Sequence, residues 1–445
     1  MNDLNVVGDR RAKAHPTKAF FVRMLTRDIS LEDCILDLID NSIDAAWRKA
    51  GEAPTELGKG TKLGDFEINL TIVPNEFRLS DNCGGISLDQ AADYAFTFGR
   101  DELGSPGDEF SVGVYGIGMK RAVFKMGNQI TITSDHEADE PFVVPINVPS
   151  WLTSDSETWD FDIDPTDSLE QYGVDIHVTE LSEETVAIFD DPAFVNGLRT
   201  TIARDYMLPL MQGLKIRVNG TQVPGWEVSF RSSREFRPLR VRYEEDEVSV
   251  QVIAGMIAPP TSGEFSERDR DAQSGWYVLC NGRVVVAADR TSLTVWGKGK
   301  IPSWHPQFKG FVGVVLFSST RPELLPMTTT KNSIDAGSAI YRRAQAKMAP
   351  PTRAWVDYTN ARKANKEEAK AKESQTKPTP IDAIEESSKV QLPKDLEGVR
   401  EANVLYTVPK ERMTTLARAF GKSTMSYKQV GLRSFDYAYD QLVDE

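Results

Sequence analysis

Three short segments hold side chains whose types and spacing could do chemistry. In the first, Asp37, Asn41, Asp44 and Arg48 fall, at about 100° per residue, in one narrow stripe of a helix. Asp33/Asp37 and Asp40/Asp44 are carboxylate pairs four residues apart, and like charges at that spacing repel. A bound cation such as Mg²⁺, which takes oxygen ligands and keeps several waters, would relieve them; an acidic face turned to solvent is the competing reading. In the second segment, Asp81-Asn82-Cys83-Gly84-Gly85-Ile86, a carboxylate stands at a strand end. There it can accept a hydrogen bond from an exocyclic amine such as that of adenine, while the glycines admit a flat ring close to the backbone. A turn that merely needs glycine is the alternative. The third, Gly113-Val114-Tyr115-Gly116-Ile117-Gly118-Met119-Lys120, is a glycine-rich loop running into a helix, whose unpaired N–H groups and positive end suit phosphates. It lacks the Gly-Lys-Ser/Thr ending of a P-loop, and no strand–turn–helix unit of a dinucleotide fold precedes it.

The elements that must position these residues are legible in the same stretch. Ser30 can cap a helix opening at Leu31-Glu32-Asp33, and Ile35, Leu38, Ile39, Ser42, Ile43 and Ala46 recur on its apolar face. Phe66 to Val73 alternates as a strand, Pro74-Asn75 turns, and Phe77 to Ser80 returns to Asp81. Phe98 to Gly107, polar and glycine-rich, reads as a mobile segment able to close over a ligand. Farther on, Asn281-Gly282 between apolar runs predicts a hairpin, and Phe311 to Phe317 a buried strand. Thr359 to Pro380 reads as a charged helix running into a flexible linker. Met413, Leu416, Ala417 and Phe420, then Val430, Phe435, Tyr439 and Leu442, mark two C-terminal helices.

The chain has 445 residues, 40% hydrophobic and 27% charged, which suits two or three globular domains and excludes a chain disordered throughout. No apolar run approaches the ~20 residues of a membrane-spanning helix. Without a leader pattern, and with three scattered cysteines (Cys34, Cys83, Cys280), a cytoplasmic protein is expected. The net charge of −14 is uneven: −21 over residues 1–209, +5 over 210–345 and +2 over 346–445. The basic run Arg231, Arg234, Arg237, Arg240 and Arg242 could meet phosphates, but Glu244 to Glu247 follow at once, and a solvated strand face is preferred.

The three segments, in this order, resemble the nucleotide-binding motifs of the GHKL ATPases, the superfamily of DNA gyrase, heat-shock-ninety chaperones, histidine kinases and MutL. Within it, Gly-Ile-Gly-Met-Lys and the later strand Gly173-Val174-Asp175-Ile176-His177-Val178 are most similar to the microrchidia (MORC) branch and its bacterial relatives. The resemblance covers roughly residues 17–345. It implies an α/β protein: a Bergerat-fold two-layer sandwich at 31–209 behind an N-terminal arm (1–30), then a transducer-like α/β domain at 210–345. A helix and linker (346–400) and a small C-terminal helical module (401–445) complete the expected order. It implies Mg²⁺ and ATP as cofactors, Asn41 on the metal, Asp81 with Val174 on adenine, and Gly113 to Lys120 around the phosphates. Asp44, Ala45, Gly85 and Ile86 would complete the nucleotide site, Asp37 would be the general base, and Lys331, in Thr328-Thr329-Thr330-Lys331-Asn332, would reach the γ-phosphate.

This chain departs from the family at three positions. Asp37 stands where glutamate is usual, shorter by about 1.5 Å, and a misplacement near 1 Å can cost about 10²-fold in rate. Cys83 replaces a glycine and Val174 a threonine, which leaves one adenine-site hydrogen bond to water or to Thr179. The resemblance implies a conformational switch that forms a homodimer on ATP and acts with DNA or a DNA-processing partner, in restriction or phage defence. The alternatives are a nucleotide-sensing scaffold without useful hydrolysis and a heat-shock-ninety-like chaperone. A histidine kinase is disfavoured, because none of His15, His136, His177 and His305 lies on a dimerisation helix before the ATP motifs.

Overall fold

The computed structural model describes residues 17–97, 109–113, 116–154, 159–226, 228–258, 273–393 and 404–443. Val114, Tyr115 and the Phe98–Gly107 segment, expected to be mobile, lie outside the described residues. Two units are present, Met1–Leu396 and Glu397–Glu445.

The larger unit begins with α1 (Lys18–Arg27), so the described part of the expected arm is helical and held: Lys18 is buried and donates to the Trp151 carbonyl (3.1 Å) and Ser154 Oγ (2.6 Å). Ser30 caps α2 (Leu31–Ala50), accepting from the Asp33 N–H at 3.0 Å, and Gly51, at φ 63°, ends it in the left-handed conformation. β1 (Glu67–Val73) and β2 (Glu76–Asp81) form the expected antiparallel hairpin. After α3 (Leu88–Gln90) and a π-helical turn at Ala91–Ala95 comes α4 (Gly118–Met126). β3 (Gly127–Asp135), β4 (Phe142–Asn147), α5 (Val148–Thr153), β5 (Asp164–Pro165) and β6 (Gly173–Leu181) follow. α6 (Glu183–Phe189), α7 (Pro192–Asp205), α8 (Met207–Met211), β7 (Lys215–Val218) and β8 (Thr221–Gln222) complete the series. The eight strands run β5-β4-β3-β6-β2-β1-β7-β8, so this sheet continues past residue 209. The apolar faces of α2 and α4 cover it, burying Ile35, Leu38, Ile39, Ala122 and Val123 against Ile68, Leu70, Leu79, Ile130 and Ile176.

A second sheet comprises β10 (Leu239–Glu245), β11 (Val248–Met256), β12 (Gly275–Cys280), β13 (Arg283–Asp289) and β14 (Phe311–Ser318), in the order β10-β11-β14-β12-β13. β14 is buried at every residue because both faces are covered. Phe311, Val315 and Phe317 meet α9 (Ala339–Ala364), whereas Val312, Val314 and Leu316 share a core with Met207, Leu208 and Met211 of α8. Asn281 and Gly282, at φ 45° and 84°, close the β12–β13 hairpin as their types require.

The stretch expected to be a helix and flexible linker is packed structure. α9 starts at Ala339, runs through Pro350 and Pro351, and is followed by α10 (Lys366–Ser374). β15 (Lys377–Pro380) then pairs with β9 (Ser229–Ser232), and Ile381 is fully buried. The arginine run supplies the reason. Arg231 donates to the Glu373 carbonyl (2.6 Å), and buried Arg240 donates to the carbonyls of Asp382 and Ile384 (3.0 Å each). A charged, apolar-poor sequence is held by arginines distant in the chain. The smaller unit holds α11 (Lys410–Ala419) and α12 (Tyr427–Val443), the two expected helices, with Ala417 and Val430 buried and Phe435, Tyr439 and Leu442 exposed.

Candidate functional site

A cavity of about 800 Å³ opens between α2, α4 and the central strands β2 and β6 of the first sheet. Asp37, Asn41, Asp44, Ala45, Asp81, Gly85, Ile86, Gly113 and Gly116 to Lys120 all line it, as do Val174 of β6 and Lys331 from the loop after β14. A volume of that size suits a drug-sized or nucleotide-sized ligand.

At one end β2 delivers Asp81. Its Oδ2 accepts from Ser42 Oγ (2.5 Å), and its Oδ1 accepts from the backbone N–H groups of Cys83 (2.9 Å) and Val174 (3.3 Å). Burial pushes the Asp81 carboxyl above its ordinary value, against the pull of these donors. Ser42 sits with the apolar face in the helical pattern, yet it is the hydroxyl on Asp81; Thr179 is not among the residues lining the cavity. Val174 contributes through its N–H, which every residue but proline carries. Gly173 cannot gain a side chain without overlapping the Asp81 carbonyl, and Gly85, at φ 74°, lies against the Asp135 carbonyl.

At the other end, α4 begins at Gly118 with no side-chain cap and no acidic residue in its first turn, so the N–H groups there are available to an anion. Lys120 lines this end, and its buried ammonium donates to the Ala95 carbonyl at 2.7 Å. Asn41 presents its amide to the cavity wall beside Gly113: a Cβ at Gly113 would stand 2.9 Å from Asn41 Oδ1. One neutral oxygen with open space around it fits Mg²⁺, which keeps waters and shares phosphate oxygens. Among the described residues no group of three His, Cys, Asp or Glu is placed to hold a metal ion, so Asn41 would hold it without a carboxylate cage.

Asp37, Asp40 and Asp44 of α2 are buried rather than turned to solvent, and protein donors meet all three, with Lys331 shared by the first two. Asp44 accepts from Ser111 Oγ (2.6 Å) and the N–H groups of Val112 and Gly113 (2.9 Å each), though burial still raises its pKa. Asp37 Oδ2 accepts from Arg121 (2.6 Å) and its Oδ1 from Lys331 Nζ (3.0 Å). Lys331 also donates to Asp40 Oδ2 at 2.9 Å. Burial alone would lower the Lys331 pKa, but Asp40 and Asp37 outweigh it and hold the ammonium above its ordinary value. Its backbone, at φ 55°, lies in the left-handed region, a strained conformation for a lysine.

Asp40, which none of the sequence assignments includes, is the hub behind the cavity. Its Oδ1 accepts from Arg283 (2.6 Å) and Tyr206 Oη (2.8 Å), and the guanidinium and the phenol touch each other. Burial would raise the Asp40 carboxyl; Arg283 and Lys331 outweigh it and hold it low. Arg283 follows the Asn281-Gly282 turn, and Asn281 donates to the Ser111 carbonyl at 3.1 Å. The tip of one hairpin in the second sheet therefore reaches Asp40 directly and Asp44 through its partner Ser111. Asp40 sits four residues before Asp44, a pairing visible in the sequence; Arg283, more than 240 residues away, carried no such signal.

Residues 29–172 match the family described as histidine kinase-, DNA gyrase B-, and HSP90-like ATPase. This stretch is a GHKL-type ATP-binding domain, followed by a second sheet domain and C-terminal helices. No curated protein matches the chain. No helix among the described residues is long and apolar enough to cross a membrane.

Proposed function

We propose that the protein is an Mg²⁺-dependent ATPase that works as a conformational switch. The observation that carries this reading is Lys331: a lysine from the second sheet domain enters the ATP cavity and rests on Asp37 and Asp40. A phosphate group there competes with two carboxylates for one ammonium. When Lys331 moves to it, Asp37 Oδ1 is released to accept a proton from water, and the loop carrying Lys331 shifts with the sheet behind it. Differential contacts of this kind shift a population between two arrangements. Arg121 remains on Oδ2 and holds the carboxylate in place. By resemblance to MORC-like ATPases, two copies associate on ATP and act with DNA or a DNA-processing partner, in restriction or phage defence.

A second reading, a nucleotide sensor without useful hydrolysis, draws on the same residues: Asp37 is a short carboxylate already engaged by both Arg121 and Lys331. Steady-state ATPase assays with Mg²⁺, run beside nucleotide-binding measurements on Asp37→Asn and Asn41→Ala, separate the two. The switch requires turnover in the parent, its loss in both variants, and retained ATP binding in Asp37→Asn. Binding without turnover in the parent, with or without DNA, selects the sensor.

A further inference from the structure

The segment between β13 and β14 carries four cationic and no acidic side chains from residue 290 to 310, and α9 carries six cations against Asp357 alone. In a chain of net charge −14 this is a sharp local reversal. The two are one surface. Gln345 of α9 donates to the Leu293 carbonyl (2.6 Å) and accepts from Lys298 Nζ (3.4 Å), and Arg353 donates to the Lys300 carbonyl (2.5 Å). The segment thus runs along the helix, and exposed Lys298 and Lys300 flank exposed Arg342 and Arg353, which share one helix face. At about 1.5 Å per residue, Arg342 and Arg353 mark a stripe of about 16 Å, with Ala346 and Ala349 between them as a low ridge.

We propose that this stripe binds the phosphate backbone of duplex DNA, apart from the ATP cavity; it rests on the nucleic-acid part of the function proposed above and locates it. A duplex presents about one phosphate charge per 1.7 Å of axis, so about 16 Å of it offers more charges than four side chains need. One observation selects the duplex over a lipid surface. Among the described residues from 187 to 403 no large apolar side chain is exposed, so the face offers nothing to insert into a lipid surface. Cations with short apolar spacers contact backbones and hold position without reading sequence.

The test is fluorescence anisotropy of the full chain with a short labelled DNA duplex across a salt series. With about four phosphate contacts, affinity falls about a hundredfold between about 50 and 200 mM salt; the double variant Lys298→Ala/Lys300→Ala falls only about tenfold. Arg342→Ala lowers affinity and slope in the same direction, and Asp357→Asn, which frees Arg353 from its ion pair (3.1 Å), tightens binding. Duplex binding whose slope the double variant leaves unchanged overturns the stripe while preserving a DNA partner. No binding at about 50 mM salt overturns both. Preference for anionic vesicles or for the single strand overturns the choice of duplex. ATP binding, measured on the same variants without DNA, stays at the parent value and reports the cavity separately.

Discussion

Asp81 shows how one buried carboxylate sets a pH limit on the site. Only its ionised form is a pure acceptor for an exocyclic amine, and burial raises the pH at which that form is lost. Affinity for ATP is therefore expected to be full above the raised pKa and to decline as pH falls through it, earlier than with an ordinary aspartate. Calorimetric titration from neutral to mildly acidic pH checks this, with Asp81→Asn expected to bind weakly and without that acid-side decline. The glycines act at the same scale. Gly173→Ala places a methyl against the Asp81 carbonyl and is expected to lower both stability and ATP affinity. Gly197→Ala in α7 meets open space and is expected to stabilise by about 0.5–1 kcal/mol in a urea melt. If both substitutions behave alike, the close approach at Gly173 has no consequence.

At the scale of elements, α2 is the shared wall of the site and the β12–β13 hairpin is its brace. Arg283 and Asp40 are a buried pair, with exposures of 7% and 1%, and without Arg283 the Asp40 carboxylate keeps only Lys331 and Tyr206. Arg283→Met is expected to cost about 3 kcal/mol, the low end for a broken buried pair, read as a lower urea midpoint at unchanged slope. Adding Asp40→Leu to it should recover part of that loss; a midpoint that Arg283→Met leaves in place would falsify the brace. The helix period of α2, its Ser30 cap and the β1–β2 hairpin were legible in the sequence, because each is set by residues within a few positions of one another. The ordered stretch after α9 was not: Thr359 to Pro380 has few apolar residues, and what holds it is Arg231 and Arg240, more than a hundred residues earlier.

For the whole molecule, binding at the cavity and stability are linked. At a hundredfold excess over Kd, Mg-ATP is expected to add about 2.7 kcal/mol to the native state, seen as a rise in Tm. Chelating the Mg²⁺, or Asn41→Ala, should remove much of that rise while leaving the nucleotide-free Tm in place. Because Lys331 comes from the second sheet domain, Lys331→Ala should separate affinity from switching: ATP still binds, but the packing of the two sheets no longer responds to it. Limited proteolysis with and without nucleotide reads that response.

The sequence by itself determined the order of the three motifs, the elements bearing them and the residues around one cavity, since periodicity, caps and glycine positions are local properties. Tertiary structure alone decided how the charges are spent. Asp37, Asp40 and Asp44 look alike as carboxylates on one helix. Their differences arise from Arg121, Lys331, Arg283 and Ser111, which arrive from four other places in the chain. A buried charge is stabilised by whatever partner lies within about 3 Å. For Lys331 and Arg283 that distance exists only once the two sheets have packed against each other.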